Sequence, residues 1–163
     1  MKPTRIVILV NLLLVFGVMA YQINKKEGVL SDGELILMEL RPVDPRSLMQ
    51  GDYMTISYAE TRINYDTLPP NRGYMIVRLD ENRVAKRVRF QKNSDPLNEG
   101  EYRLRYFRSG TWDVNIGAES YFFQEGSAKR FEAAEYGGLR VLEDGHTLLA
   151  NMYDSAFQII EPE

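Results

Sequence analysis

Ser47, Ser57 and Lys86 are the residues whose types and order in this chain could carry covalent chemistry. Ser47 precedes a Gly51-Asp52 turn, Ser57 follows it in a β-like run, and Lys86 sits in "RVAKRVRF", residues 83–90. A serine hydroxyl becomes a useful nucleophile only when a neighbouring base takes its proton, and a lysine is such a base only when neutral. Strict alternation puts Lys86 on one strand face with Val84, Val88 and Phe90, opposite Arg83, Ala85, Arg87 and Arg89. A lysine on an apolar face loses hydration, which favours the uncharged amine. The same placement also suits a lysine that guards an edge strand, or one whose amine snorkels to water. Dyad and edge guard are both compatible with the pattern.

Other chemistry is sparse. His146, the single histidine, follows a hairpin glycine and reads as an exposed turn residue; it cannot form a two-histidine metal site. With no cysteine, disulfides and thiolate zinc sites are excluded. Glu132 and Glu135 lie three apart, as solvated helix charges commonly do, and no carboxylate spacing selects an acid–base pair or a calcium loop. Gly137-Gly138 reads as a helix stop rather than a phosphate cradle. No metal site and no cofactor is expected.

These residues must be positioned by strands. "ELILMELR" is an apolar run between Gly33 and Pro42. "DYMTISYA" alternates, with Met54, Ile56 and Tyr58 on one face. "YMIVRL" and "RVAKRVRF" flank the turn Asp80-Glu81-Asn82, and "LRVLEDGHTLLANMY" reads as two strands around Asp144-Gly145. One helix is expected in "SAKRFEAAEYGG", capped by Ser127 and ended by Gly137. Alternation in "SYFFQEG" sets Tyr121 and Phe123 against Phe122; core packing is the default, and Phe122 with Trp112 are the candidates for contact with a partner.

The N-terminus sets the compartment. Lys2 and Arg5 precede an apolar run, Ile6 to Ile23, interrupted by Asn11 and followed by Lys25 and Lys26. As a helix this run spans roughly 27 Å, close to the bilayer's hydrocarbon thickness. A signal peptide cleaved after Val18-Met19-Ala20 is the competing reading; the continuation past Ala20 into a lysine pair favours a retained anchor. The expected division is an anchor at 1–24, a linker at 25–33 and one domain at 34–163.

Charge separates along the chain, although the net value is only −3. Residues 72–108 hold ten basic and five acidic side chains, and residues 119–163 hold three basic and nine acidic. A basic sheet face could meet anionic lipid or polymer; solvated strand faces produce the same composition. No stacking platform accompanies the arginines, so no nucleic-acid partner is expected.

"GDYMTISY" resembles the signature Gly-Asp-Tyr-x-x-Leu-x-Tyr of the bacterial GDYXXLXY family, with Ile56 in the leucine's place. The residues carrying that likeness are Gly51, Asp52, Tyr53, Ile56 and Tyr58, supported by Asp44, Pro45 and Arg46 in "PVDPRSL" and by "FFQEGSAKRFEAAEYGGLRV". On physics alone the motif is a rigid corner leading into a strand. The resemblance implies a short protein anchored in the bacterial inner membrane beside a multi-spanning membrane protein. A second resemblance is to type I signal peptidases, in the order Leu48, Gly51-Asp52, "RGYMIVRL", then Lys86-Arg87-Val88. Aligned on Gly-Asp, the nucleophile's position falls on Val43, which has no hydroxyl, and Ser47 stands where that family has threonine.

The expected fold is a mainly β (β-rich α+β) extracytoplasmic domain with one short helix, preceded by one transmembrane helix. The expected function is a non-catalytic, single-pass accessory protein acting beside an integral membrane protein, its domain in the periplasm. The alternatives are a serine–lysine protease of altered architecture, using Ser47 or Ser57 with Lys86, and a module binding anionic lipid or polymer. The sequence defines no small-molecule ligand.

Overall fold

The computed structural model describes residues 3–41, 53–64, 68–108, 110, 112–123 and 127–161. A helix, α1 (Pro3–Asp32), leads into a β-rich domain. Its strands are β1 (Glu34–Glu39), β2 (Tyr53–Thr55), β3 (Arg72–Leu79), β4 (Ala85–Gln91), β5 (Glu101–Arg108), β6 (Val114–Asn115), β7 (Ser120–Phe122), β8 (Tyr136–Val141) and β9 (Thr147–Tyr153). A 3-10 turn, Ala59–Thr61, and a one-turn helix, α2 (Ala128–Phe131), complete the described elements.

Residues 5–24 of α1 are exposed throughout, and the helix is long and apolar enough to cross a membrane. The expected linker at 25–33 is not a separate element, because α1 continues to Asp32. Gly28 is the one strong helix-weakener there, and a single glycine costs only about 1 kcal/mol relative to alanine.

The strands form three antiparallel sheets, ordered β1-β8-β9, β4-β3-β5-β6 and β2-β7. β1 joins the first two: it pairs with β8 on one side, while Leu37 bridges Val84 at the start of β4 on the other. Both expected hairpin turns form. Asp80 Oδ1 accepts from the amides of Asn82 and Val84, each at 2.9 Å, and Gly145 takes a φ of +87° in the β8–β9 turn.

The core lies between the sheets, built around Ile36, Met38, Met75, Val77, Leu104, Leu139 and Met152. The helix expected from Ser127 to Gly137 is reduced to four residues. Ser127 is itself helical and makes no side-chain cap, while Gly137 is a β8 residue paired with Met38 and Met152. Its lack of a side chain matters for packing: a Cβ there would lie 3.1 Å from Tyr58 Cε1 and 3.2 Å from Leu149 Cδ1. Tertiary pairing on both edges outweighs the local helix preference of the preceding alanines and glutamates.

Candidate functional site

The second half of the signature is architectural. Ile56 and Tyr58 are buried, Met54 is half-buried on the same line, and Thr55 is exposed, as alternation requires. The regular strand β2 is short, yet its line continues: Ile56 donates its amide to the Glu119 carbonyl at 2.8 Å, and Tyr58 bridges Leu40. The Tyr58 ring is fully buried, and its hydroxyl donates to the Ala118 carbonyl. Burial, reinforced by nearby Glu119, pushes the Tyr58 hydroxyl pKa far above the ordinary tyrosine value. Glu119 is raised as well, through desolvation, although its carboxylate accepts from the amide of Ile116. Residues 116–119 thus fasten the signature to the sheet.

Val43, Asp44, Pro45, Arg46, Ser47, Gly51 and Asp52 lie outside the described residues. What is defined is where their segment, 42–52, leaves and rejoins the domain. It leaves after Arg41, whose amide donates to the Ser57 carbonyl at 2.8 Å and whose Nη2 lies 3.1 Å from Asp113 Oδ1. It rejoins at Tyr53, paired with Phe122 across the β2–β7 ribbon. An exposed aromatic accompanies the contact made at each root. Trp112 precedes Asp113, accepts at its carbonyl from the Ile63 amide and is 58% exposed; Phe122 is 74% exposed. Tyr121 and Phe123 instead turn inward, with ring centroids 5.2 and 5.3 Å from Phe131. Alternation in "SYFF" separates Phe122 from Tyr121 and Phe123, and the fold decides that the Phe122 face is the outward one; nothing local links Arg41 to Asp113, a pairing made only by the fold.

This end of the domain is also remote from the point where α1 enters. β1 begins at Glu34, directly after α1, and runs away from the β8–β9 turn, so its far end at Glu39 opens into 40–52. Five steps of extended chain separate Glu34 from Glu39 by about 17 Å.

Lys86 does not occupy the apolar face expected for it. The β3–β4 register shifts between Ile76 and Val77, which pair with Arg89 and Arg87, leaving Val88 as the extra residue. This bulge carries Phe90 onto the same face as Ala85 and Arg87, opposite Lys86, and Val88 is 47% exposed. Lys86 Nζ donates to Glu39 Oε2 at 2.9 Å, and that hydrogen bond, helped by the nearby carboxylates, raises its pKa against the downward effect of burial. The group is held as an ammonium, the opposite of what a general base needs. No hydrogen bond joins it to Ser57, whose side chain is half-buried.

The basic segment is largely occupied by its own fold. Arg89 donates from Nη1 and Nη2 to the two oxygens of Glu101 at 2.6 and 2.9 Å. Glu101 is 1% exposed at its side chain and also accepts from the amide and side chain of Asn98. Chiefly through Arg89, its pKa is held at about 2. Arg83 binds Glu34 and the Leu35 carbonyl, and Arg105 binds Asp144. Arg87 Nη1 donates to the carbonyls of Glu60 and Arg62, and its guanidinium lies over Phe90. A groove of about 430 Å³ beside it is lined by Asn64, Leu68, Pro69, Pro70, Arg87 and Phe90. His146 is tied to Asp144 at 2.7 Å rather than free in its turn. Among the described residues, no group of three or more His, Asp or Glu side chains is placed to hold a metal ion.

A family model described as GDYXXLXY protein matches residues 15–152, from within α1 to near the end of β9. No curated protein and no solved structure matches the chain.

Proposed function

The chain belongs to the GDYXXLXY family, and from that footing we propose that it is a non-catalytic accessory protein, anchored by α1 and acting beside an integral membrane protein. In this reading α1 crosses the bacterial inner membrane once and the β-rich domain stands on the periplasmic side. The contact is made by the end of the domain that carries segment 42–52.

One observation carries the reading: large exposed aromatics, Trp112 and Phe122, stand beside the two points where segment 42–52 leaves and rejoins the domain, while Ile56 and Tyr58, which follow it, are fixed in the core. Exposed aromatic anchors on a rigid scaffold are the usual energetic centres of protein interfaces. The serine–lysine alternative is disfavoured by the Glu39-bound, charged state of Lys86. Binding of anionic lipid through the basic segment is disfavoured by the internal pairing of Arg83, Arg89 and Arg105.

Photo-crosslinkable residues at Trp112 and Phe122, in chain expressed at its native level, test the proposal. The expected result is one specific adduct with an integral membrane protein, and the same protein co-purifying from solubilised membranes. A preparation that holds this chain alone, as monomer or as homodimer, overturns it.

A further inference from the structure

Within the apolar run 6–23, Asn11 and Gln22 carry the two side-chain amides. They are eleven residues apart, three helical turns plus about 20°, so both lie on one line along α1. Val7, Val15 and Val18 fall within about 40° of that line, whereas Leu13, Phe16 and Ala20 face away. One stripe of the anchor thus combines both amides with β-branched valines, whose restricted rotamers lose little entropy when packed. Asn11 lies about 9 Å along the axis from Arg5, inside the hydrocarbon if Arg5 marks the interface. Its neighbours one turn away are Val7, Ile8, Leu14 and Val15, none with a polar side chain. The domain does not cover the stripe, since residues 5–24 are exposed throughout.

An amide in hydrocarbon, with no water to satisfy it, is stabilised by a partner on another helix. We propose that this partner is a second copy of the chain, the two α1 helices packing in parallel through Asn11, Val15, Val18 and Gln22. Symmetry is the reason for choosing a second copy. Copies inserted in one orientation bring Asn11 to Asn11 and Gln22 to Gln22 at equal depth, so both amides are matched by construction. An amide is both donor and acceptor, so each pair can bond reciprocally across a two-fold axis along the membrane normal. The inference rests on the reading of α1 as a retained anchor, and leaves the signature end of each domain available to a different protein.

The chain has no cysteine, so single cysteines report contacts cleanly. In the full-length protein in native membranes, oxidation of Val15→Cys and Val18→Cys is expected to give covalent dimer. Leu13→Cys and Ala20→Cys, on the opposite face, are expected to give little. Adding Asn11→Val to Val18→Cys is expected to weaken association by about threefold to twentyfold, the range of interhelical hydrogen bonds in membranes. Asn11→Gln, which keeps the amide, is expected to preserve the dimer. Equal cross-linking on both faces, no cross-linking, or capture only of a different protein overturns the inference while α1 stays embedded on alkaline carbonate extraction. If carbonate releases the chain, the anchor reading fails first and the inference falls with it.

Discussion

Replacing Tyr58 by phenylalanine isolates what the last residue of the signature does. The ring sits in the core with no exposed surface, and phenylalanine fills the same volume. The change removes one hydrogen bond, from the hydroxyl to the Ala118 carbonyl. A buried bond of this kind contributes about 1 kcal/mol, and leaving a buried carbonyl unsatisfied costs about 1–3 kcal/mol. The expected net loss is about 1–3 kcal/mol, the cost of leaving such a carbonyl without its donor. Tyr58→Ala removes the ring as well and should cost about 3–5 kcal/mol. Denaturant unfolding of the detergent-solubilised chain, followed by tyrosine near-ultraviolet circular dichroism, measures both.

The same residue makes a prediction in pH. Its folded-state pKa is raised, chiefly by burial, above the ordinary value of 10.0. Above that ordinary value the unfolded chain releases the phenolic proton while the folded chain keeps it. Stability is therefore intact below about pH 10 and falls as pH rises further. Tyr102, Tyr106 and Tyr121 are raised in the same direction, so Tyr58→Phe should make the alkaline decline shallower without abolishing it. If Tyr58→Phe stays within about 0.5 kcal/mol of the parent, the range of ordinary surface changes, and its alkaline limb is unaltered, the Tyr58 hydroxyl does not hold residues 116–119 to the core.

Gly137→Ala forces a methyl against the Tyr58 ring and Leu149 and should cost about 1–2 kcal/mol, after allowing for the entropy gained by losing a glycine, read as a lowered denaturation midpoint. Glu101→Gln should destabilise the domain at neutral pH by unpairing Arg89. It should also flatten the acid limb, because the parent loses this carboxylate's contribution as pH falls from about 4.5 toward about 2. Lys86→Met removes a half-exposed ion pair and should shift stability by less than about 1 kcal/mol; abolition of a hydrolytic activity measured in the parent would instead restore the dyad. Phe122→Ser should fold like the parent, within about 1 kcal/mol, yet lose capture of the membrane partner; unchanged capture would move the interface elsewhere.

Much of the fold was legible because its signals are local. Asp80 and Asp144-Gly145 carry turn chemistry in adjacent residues, and the alternation of Met54, Ile56 and Tyr58 reports one buried face directly. The misreadings share a different cause: each depended on a partner distant in the chain. The alternation around Lys86 holds only until the unpaired Val88, and that bulge appears only in the register β4 makes with β3. Gly137 looks like a helix stop beside alanines and glutamates, but β1 and β9 claim it for a strand, and the Tyr58 ring needs the space. The Arg41–Asp113 pair at the root of the signature segment has no local signature at all.

The candidate site divides along the same line. Period two in "SYFF" separates Phe122 from Tyr121 and Phe123, but that Phe122 and Trp112 are the exposed ones is decided by the fold. That these aromatics stand near the two roots of one segment follows only from the Tyr53–Phe122 register and the Arg41–Asp113 contact. Ile56 and Tyr58 are committed to the core, Ile56 with its amide on the Glu119 carbonyl and Tyr58 with its hydroxyl on the Ala118 carbonyl, so the described half of the signature is structural and becomes so only through residues about sixty positions away.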